Sequence, residues 1–196
     1  CISNWRARLI MVTICSTGLG GMSVSIAVEE LAQLGAQTLL AVGARGDQPD
    51  GLRPGELIVA TGAVRLDGTS QDYVRPEYPA AAHFEAVMAA LAAAEAHGQP
   101  CQTGVVASLA TGEVSDQPGS RSFLQARRAP LVDQLRAAHV WYGGGQEATL
   151  LVQAGLYHLR AGAIVAHSRD GTAESVAQAL ALGLSTLRTL AAWDEG

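Results

Sequence analysis

The chain has 196 residues, of which 48% are hydrophobic and 16% charged, and its net charge is -5. This composition excludes an intrinsically disordered chain, and the length suits a single domain over residues 1–196. All thirteen basic residues are arginines and form no basic stripe, so we expect no nucleic-acid partner. No apolar run reaches the roughly 18 residues that a membrane helix needs, so we expect a soluble protein without membrane contact.

The three cysteines, Cys1, Cys15 and Cys101, are odd in number and widely spaced. This spacing fits neither a disulfide framework nor a zinc site, and the five histidines show no metal-ligand spacing either. We therefore expect no metal and a reducing, cytoplasmic location. No motif indicates an organic cofactor, so none is expected. Because Cys15 lies in an apolar run, it is expected to be a buried core thiol.

The first hundred residues alternate between strand and helix patterns, with glycine or proline at most element ends. The predicted elements are, in chain order, strand 8–15, helix 22–34, strand 37–43, strand 56–66 and helix 80–97. The third strand is expected to bend at Gly62, and a loop is expected over 67–79. The apolar side chains that helix 80–97 is expected to bury are Phe84, Val87, Met88 and Leu91.

The second half continues the same alternation. Its predicted elements are strand 103–109, helix 122–137, strand 140–142, helix 147–156, strand 161–166 and helix 172–193. The apolar side of the last helix consists of Val176, Leu180, Leu184 and Leu187. Alternating strands and helices predict an α/β fold with a largely parallel sheet and helices on both faces. Ligands in such folds bind beyond the carboxyl ends of the strands, so we expect the chemistry in loops 16–21, 43–54, 110–120 and 143–146.

Two of these loops could bind an anion. The glycine-rich turn 16–21 leads into a helix, whose first backbone N–H groups could hold a negative charge, although such turns are also common as plain structural turns. Arg45, which follows the second strand, could reach a phosphate or a carboxylate. Alternatively, it pairs in solvent with Asp47 or Asp50.

Two acidic residues are candidates for chemistry in the second half. Three glycines at 143–145 suggest a loop that is mobile or closely approached by another group. Glu147, directly after them, could bind a sugar diol or complement the dipole of the helix that begins there. Asp170, after the last strand, could act as a general acid, or it could cap the last helix in competition with Thr172.

Seven runs along most of the chain carry a family pattern. They are 15–21 (CSTGLGG), 25–35 (SIAVEELAQLG), 64–70 (VRLDGTS), 76–80 (PEYPA), 84–85 (FE), 147–151 (EATLL) and 159–162 (LRAG). Together they resemble the nucleoside phosphorylase superfamily, in its uridine phosphorylase branch. The resemblance implies a three-layer α/β fold with a mixed, largely parallel, partly barrel-like sheet. It also implies phosphorolysis of a pyrimidine nucleoside to base and ribose 1-phosphate, with phosphate as co-substrate. The implied assembly is a homo-oligomer, either a dimer or a hexamer of dimers.

The resemblance also implies substrate-binding positions. They are Thr17, Gly18, Gly43, Ala44, Arg45, Ser120, Arg121, Gly145, Gln146 and Glu147. An arginine of the family before the second glycine loop reads Ala41 here. The family's Glu-Met-Glu ribose motif aligns with Gly144, Gly145 and Gln146, and an amide can bind a diol without carrying charge. We also expect the domain to lack the family's first strand, which carries a Gly-Asp-Pro segment and an arginine for phosphate.

These departures leave three hypotheses open. Removing one group that stabilises developing charge costs roughly 3–4 kcal/mol, so a phosphorylase with several such losses would be weak or altered. A second hypothesis is a binding protein that keeps a nucleoside or nucleobase pocket without turnover, with Arg121, Gln146 and Glu147 as contacts. The third is a structural or regulatory paralogue that assembles with an active relative.

Overall fold

A computed structural model describes residues 11–45, 51–53, 55–110, 125–168 and 173–195, with the backbone alone for 125–129. The helices of these ranges are α1 Gly20–Gln33, α2 Thr69–Tyr73, α3 Phe84–Ala96, α4 Gln125–Ala137, α5 Glu147–Leu156 and α6 Ala173–Trp193. The strands are β1 Thr38–Arg45, β2 Leu57–Leu66, β3 Ala80–Ala81, β4 Cys101–Leu109, β5 Trp141–Tyr142 and β6 Arg160–His167. The predicted helix 147–156 is confirmed to the residue. No helix of the described ranges is both long and apolar enough to cross a membrane.

The sheet is mixed and largely parallel, as expected. Its order is β1-β6-β2-β4-β5, and the short β3 pairs with β2. The pairs β1 with β6, β2 with β4 and β4 with β5 are parallel, whereas β2 runs antiparallel to β6. The register between β2 and β4 shifts between Ala60 and Gly62, which confirms the bend predicted at Gly62. β3 lies beside this shift, with Gly62 opposite Ala81.

The sheet curls so far that its two outer strands approach each other. Neighbouring strands lie about 4.8 Å apart, so a flat sheet would place β5 about 19 Å from β1. Nevertheless, the guanidinium of Arg45 at the end of β1 donates to the carbonyl oxygen of Gly143, directly after β5, at 2.7 Å. The inner face gathers side chains of five of the six strands into one cluster, including Ala41, Ile58, Val106, Trp141 and Ala163. The partly barrel-like sheet is therefore present.

Helices cover both faces of this sheet, which gives the expected three layers. On one face, α1 and α5 pack together over a core that includes Val28, Leu39 and Leu151. On the other face, α3 and α6 pack over Leu57 and Ile164. One part of the sequence prediction is refined here, since the expected loop 67–79 contains the short helix α2. The helix α4 contains Pro130 and continues through it.

The predicted strand 8–15 is wrong over its described part. Residues 11–15 belong to no strand, and Met11 and Ile14 are 94% and 65% exposed. Cys15 is exposed rather than buried. This segment lies across a cavity of about 210 Å³ from β1, between α1 and α6, so its backbone makes no ladder with β1. An apolar run predicts burial, but a strand also needs a neighbour that accepts its hydrogen bonds.

The buried face of α3 also differs from the prediction. Phe84 and Met88 are exposed, and Val87 and Leu91 are half-buried. The fully buried residues are instead alanines, namely Ala86, Ala89, Ala90, Ala93 and Ala94. Small side chains allow the helix backbone to lie close to the sheet and to α6, so the alanines face inward and the larger residues are displaced outward. On α6, the predicted apolar side is half-buried, and Ala179, Leu182 and Leu190 form the deeper face.

Arg160 ties the carboxyl end of α6 to the start of β6. Its guanidinium donates to both carboxylate oxygens of Asp194 at 2.7 and 2.6 Å, and to Glu85 on α3 at 3.3 Å. The hydrogen bond from Arg160 lowers the pKa of the Asp194 carboxyl. The carboxylate is therefore favoured in the folded chain relative to the unfolded one, and this linkage stabilises the fold at neutral pH.

We predict that Asp194→Asn unfolds at a lower urea concentration than the natural chain at neutral pH. Because the pKa of Asp194 is lowered on folding, the difference should shrink as the pH falls below the ordinary aspartate pKa. It should vanish once the pH passes the lowered pKa. The measurement is urea unfolding by circular dichroism at several pH values. Asp133→Asn, whose exposed pair with Arg136 spans 4.0 Å, is the control with little effect at any pH. A gap for Asp194→Asn that stays constant down to acidic pH would contradict this account.

Candidate active site

The end of β1 faces the loop that follows β5. Along β1, side chains alternate between the two faces of the sheet, so Gly43 and Arg45 share one face and Ala44 takes the other. Ala44 packs into the core beside α6, away from the candidate site. Arg45 is buried and donates to the carbonyl of Gly143, while its own carbonyl accepts the N–H of Ser168 at 2.9 Å. Arg45 is therefore not a solvated loop residue, because the curl of the sheet brings Gly143 within reach, and its candidate partners Asp47 and Asp50 lie outside the described residues.

Glu147 holds the glycine loop rather than facing it as a free carboxylate. One oxygen accepts the N–H of Gly144 at 2.6 Å, and the other accepts the N–H groups of Gly145 and Gln146 at 3.1 and 3.2 Å. The side chain is 2% exposed. Of its two alternatives, the structure supports the one in which the carboxylate complements the amino end of α5. These bonds use most of the acceptor capacity of the carboxylate, which has about four lone-pair sites.

Close contacts with neighbouring oxygen atoms explain the glycine run. A Cβ atom on Gly143 would lie 2.6 Å from Oε2 of Glu147, and one on Gly145 would lie 2.5 Å from the carbonyl oxygen of Leu109. Gly145 also has a φ of 89°, which side chains other than glycine rarely adopt. Other groups therefore approach the loop closely, which is one of the two alternatives that the three glycines suggested.

Gln146 connects the glycine loop to β1 and to the cavity. Its side chain is half-buried, and its Nε2 lies 3.7 Å from the position that a Cβ on Gly43 would take. Gln146 and Thr17 line the same cavity, which places the first glycine turn near the second. Gly18 adjoins Thr17 in that turn with a φ of 80°. The cavity wall thus contains a neutral amide and a hydroxyl among mainly apolar side chains, and both groups can hydrogen-bond a polar ligand.

Three of the predicted site residues cannot be placed. Ser120, Arg121 and Asp170 lie outside the described residues. The described ranges contain no group of three or more His, Cys, Asp or Glu side chains arranged to hold a metal ion.

A buried polar network next to the site has no counterpart among the predicted site residues. Its centre is Asp67, whose carboxylate accepts the hydroxyls of Ser70 at 2.6 Å and of Thr149 on α5. Arg65 donates to the hydroxyl and carbonyl of Ser70 and to the carbonyls of Val74, Arg75 and Tyr78. The signal for this network in the sequence is a pair of opposite charges, Arg65 and Asp67, at the end of an apolar strand.

Comparisons of the sequence with known proteins agree on one family. The sequence profile of the phosphorylase superfamily matches residues 8–134. A uridine phosphorylase of Thermococcus kodakarensis is 38% identical over 192 residues, which are 95% of this chain and 69% of the relative. A uridine phosphorylase of Salmonella typhimurium is 37% identical over 170 residues, 83% of this chain and 66% of the relative. A guanosine phosphorylase of Halorubrum lacusprofundi is 40% identical over 97 residues, 50% of this chain and 40% of the relative.

We predict that Gly143→Ala lowers the free energy of unfolding by about 1–3 kcal/mol, because the added methyl group displaces the Glu147 carboxylate. The two residues should be coupled, so Gly143→Ala should cost less in a chain that already carries Glu147→Ala. The measurement is a double-mutant cycle by urea unfolding. Gly43→Ala, whose new methyl group meets Gln146 at an ordinary 3.7 Å, is the control with a small effect. Additive effects of the two substitutions would contradict the proposed contact.

Proposed function

Because the chain belongs to the nucleoside phosphorylase superfamily, in its uridine phosphorylase branch, we propose that it catalyses phosphorolysis of a pyrimidine nucleoside to base and ribose 1-phosphate. The observation that carries this proposal is the identity of 38% to a uridine phosphorylase along 95% of the chain. The chain spans about two thirds of the length of that relative and of the Salmonella one, at 69% and 66%.

The residues at the end of β1 and in the loop after β5 supply the proposed binding groups. Gln146, which faces Gly43, would hydrogen-bond the ribose hydroxyls. Phosphate is the proposed co-substrate. Arg45 would supply positive charge for it, and the turn that contains Thr17 and Gly18 would supply backbone N–H donors. Ser120 and Arg121 would contact the base. No metal and no organic cofactor takes part in this proposal.

The proposed activity is slow compared with an enzyme that has charged groups at every subsite. Charge develops on the sugar as the bond to the base breaks, and a carboxylate stabilises that charge better than an amide. Gln146 is neutral, and both oxygens of Glu147 are bonded to backbone N–H groups. A single missing group of this kind costs about 100- to 1,000-fold in rate.

The assay that tests the proposal is release of uracil from uridine, followed by chromatography, with and without inorganic phosphate. The proposal expects release that depends on phosphate and scales with protein concentration, together with formation of ribose 1-phosphate. Release equal to a blank without protein would contradict it.

A nucleoside-binding protein without turnover is the second candidate. The engagement of Glu147 with the backbone favours it, because three N–H donors already share the negative charge that would otherwise be directed at a sugar. Titration calorimetry with uridine and uracil separates the two functions. Binding without product identifies the second candidate, and product identifies the first.

We further propose a cytoplasmic homo-oligomer, either a dimer or a hexamer built of dimers. The support is an apolar stripe on the outside of α1, where Leu19, Met22 and Ile26 are all more than half exposed in the isolated chain. Exposed apolar stripes of this kind are typical of surfaces that a partner covers.

We predict that Gln146→Glu raises kcat/KM for uridine phosphorolysis about tenfold, because it places a carboxylate where the sugar gains positive charge. The gain is smaller than the loss from deleting an established group, since the surrounding residues are not arranged around the new charge. Steady-state kinetics at several uridine concentrations measure it. Gln146→Ala is the matched variant and should lower kcat/KM. Equal kinetics for the two variants would show that position 146 does not face the sugar.

A further inference from the structure

We propose that Asp67 and Thr149 are positioning residues that fix the position of the two glycine loops of the site relative to each other. This inference rests on the proposed function, since it takes the turn 16–21 and the loop 143–146 as parts of one ligand site. Neither residue faces the cavity, so their effect would act through the positions of the loops.

The link to the second loop runs through α5. The Thr149 hydroxyl donates to Asp67, and Thr149 is fully buried. It stands three residues after Gln146, so a shift of Thr149 moves the amino end of α5 and with it the amide that faces Gly43. A neighbouring bond supports the same end of the helix, because the N–H of Ala148 donates to the buried Ser108 hydroxyl at 3.2 Å.

The link to the first loop is a direct contact. Gly21 lies in the first turn of α1, where the glycine-rich turn 16–21 ends. A Cβ on Gly21 would lie 2.6 Å from the Thr149 hydroxyl oxygen and 2.9 Å from that of Thr69. The start of α1 therefore rests on the hydroxyl that Asp67 holds. A larger residue at position 21 would separate α1 from α5.

One further contact joins α1 to α5, and another joins α1 to α2. Gln153 on α5 is fully buried and donates to the carbonyl of Ser25 on α1 at 3.3 Å. Tyr73 on α2 donates to Glu29 on α1 at 2.8 Å. The pKa of Tyr73 is raised, since the hydrogen bond with Ser25 lowers it but burial and the Glu29 carboxylate together raise it by more. The hydroxyl therefore remains a donor at neutral pH.

The position of Asp67 is itself fixed by hydrogen bonds with residues outside α1 and α5. Ser70 donates to its second oxygen, and Arg65 binds both the hydroxyl and the carbonyl of Ser70. Asp67 and Arg65 are both buried, so this network has a low-dielectric environment in which each bond is directional and costly to break. The Thr149 hydroxyl is thus the point where the strand end, α1 and α5 meet.

The test compares Thr149→Val, which keeps the shape but removes the hydroxyl, with Thr149→Ser, which keeps the hydroxyl. Amide hydrogen exchange is measured by mass spectrometry on peptides that cover 18–26 and 143–150. We expect Thr149→Val to speed exchange about tenfold in both peptides, the size of one lost hydrogen bond, and Thr149→Ser to leave both unchanged. Thr186→Val removes an equally buried hydroxyl on the opposite face of the sheet and should change neither peptide.

Gly21→Ala tests the same contact between α1 and Thr149 by changing the residue on α1. It replaces Thr149→Val as the test if that variant does not fold. It should speed exchange in 143–150 although the substitution lies in α1. In an active protein, Thr149→Val should also raise KM for uridine and for phosphate together, whereas Thr186→Val should raise neither. Faster exchange confined to one of the two peptides, or spread evenly over the chain, would overturn the inference. Absence of turnover in the natural chain would count against the proposed function alone, because the exchange experiment needs no substrate.

Discussion

The guanidinium of Arg45 donates to the carbonyl of Gly143, although β1 and β5 are the outermost strands of the sheet. This bond exists because the sheet curls, and the curl in turn depends on small inward side chains such as Ala41, Ala60 and Ala163. The proximity of β1 to the glycine loop follows from this curl. It brings together the end of β1 and the loop after β5, which a flat sheet would keep far apart.

The charged residues of this region mainly stabilise the scaffold. Glu147 satisfies three backbone donors at the start of α5, and Asp67 holds the hydroxyls of Ser70 and Thr149. Among the described residues, those that line the cavity are neutral, and they include Gln146 and Thr17. The carboxylates of Glu147 and Asp67 are thus engaged in holding helices and loops in place.

Much of the fold could be predicted from the sequence because local patterns specify it. The helix 147–156, the bend at Gly62 and the mixed sheet follow from periodicity, glycine placement and family motifs. The wrong predictions concern long-range contacts, such as strand pairing and helix packing, which local sequence patterns do not reveal. Residues 11–15 are apolar without making a ladder, and α3 buries alanines instead of Phe84 and Met88. In the site, the environment of Arg45 required knowledge of the curl, which only long-range pairing reveals.

We infer that the end of β1 and the loop after β5 form one nucleoside site. A crystal structure of the protein soaked with uridine and phosphate is the decisive experiment. We expect a ribose between Gly43 and the loop 143–147, with its hydroxyls hydrogen-bonded to the Gln146 amide. Uridine bound at another surface, while the bond from Arg45 to Gly143 and the loop remain as they are, would contradict it.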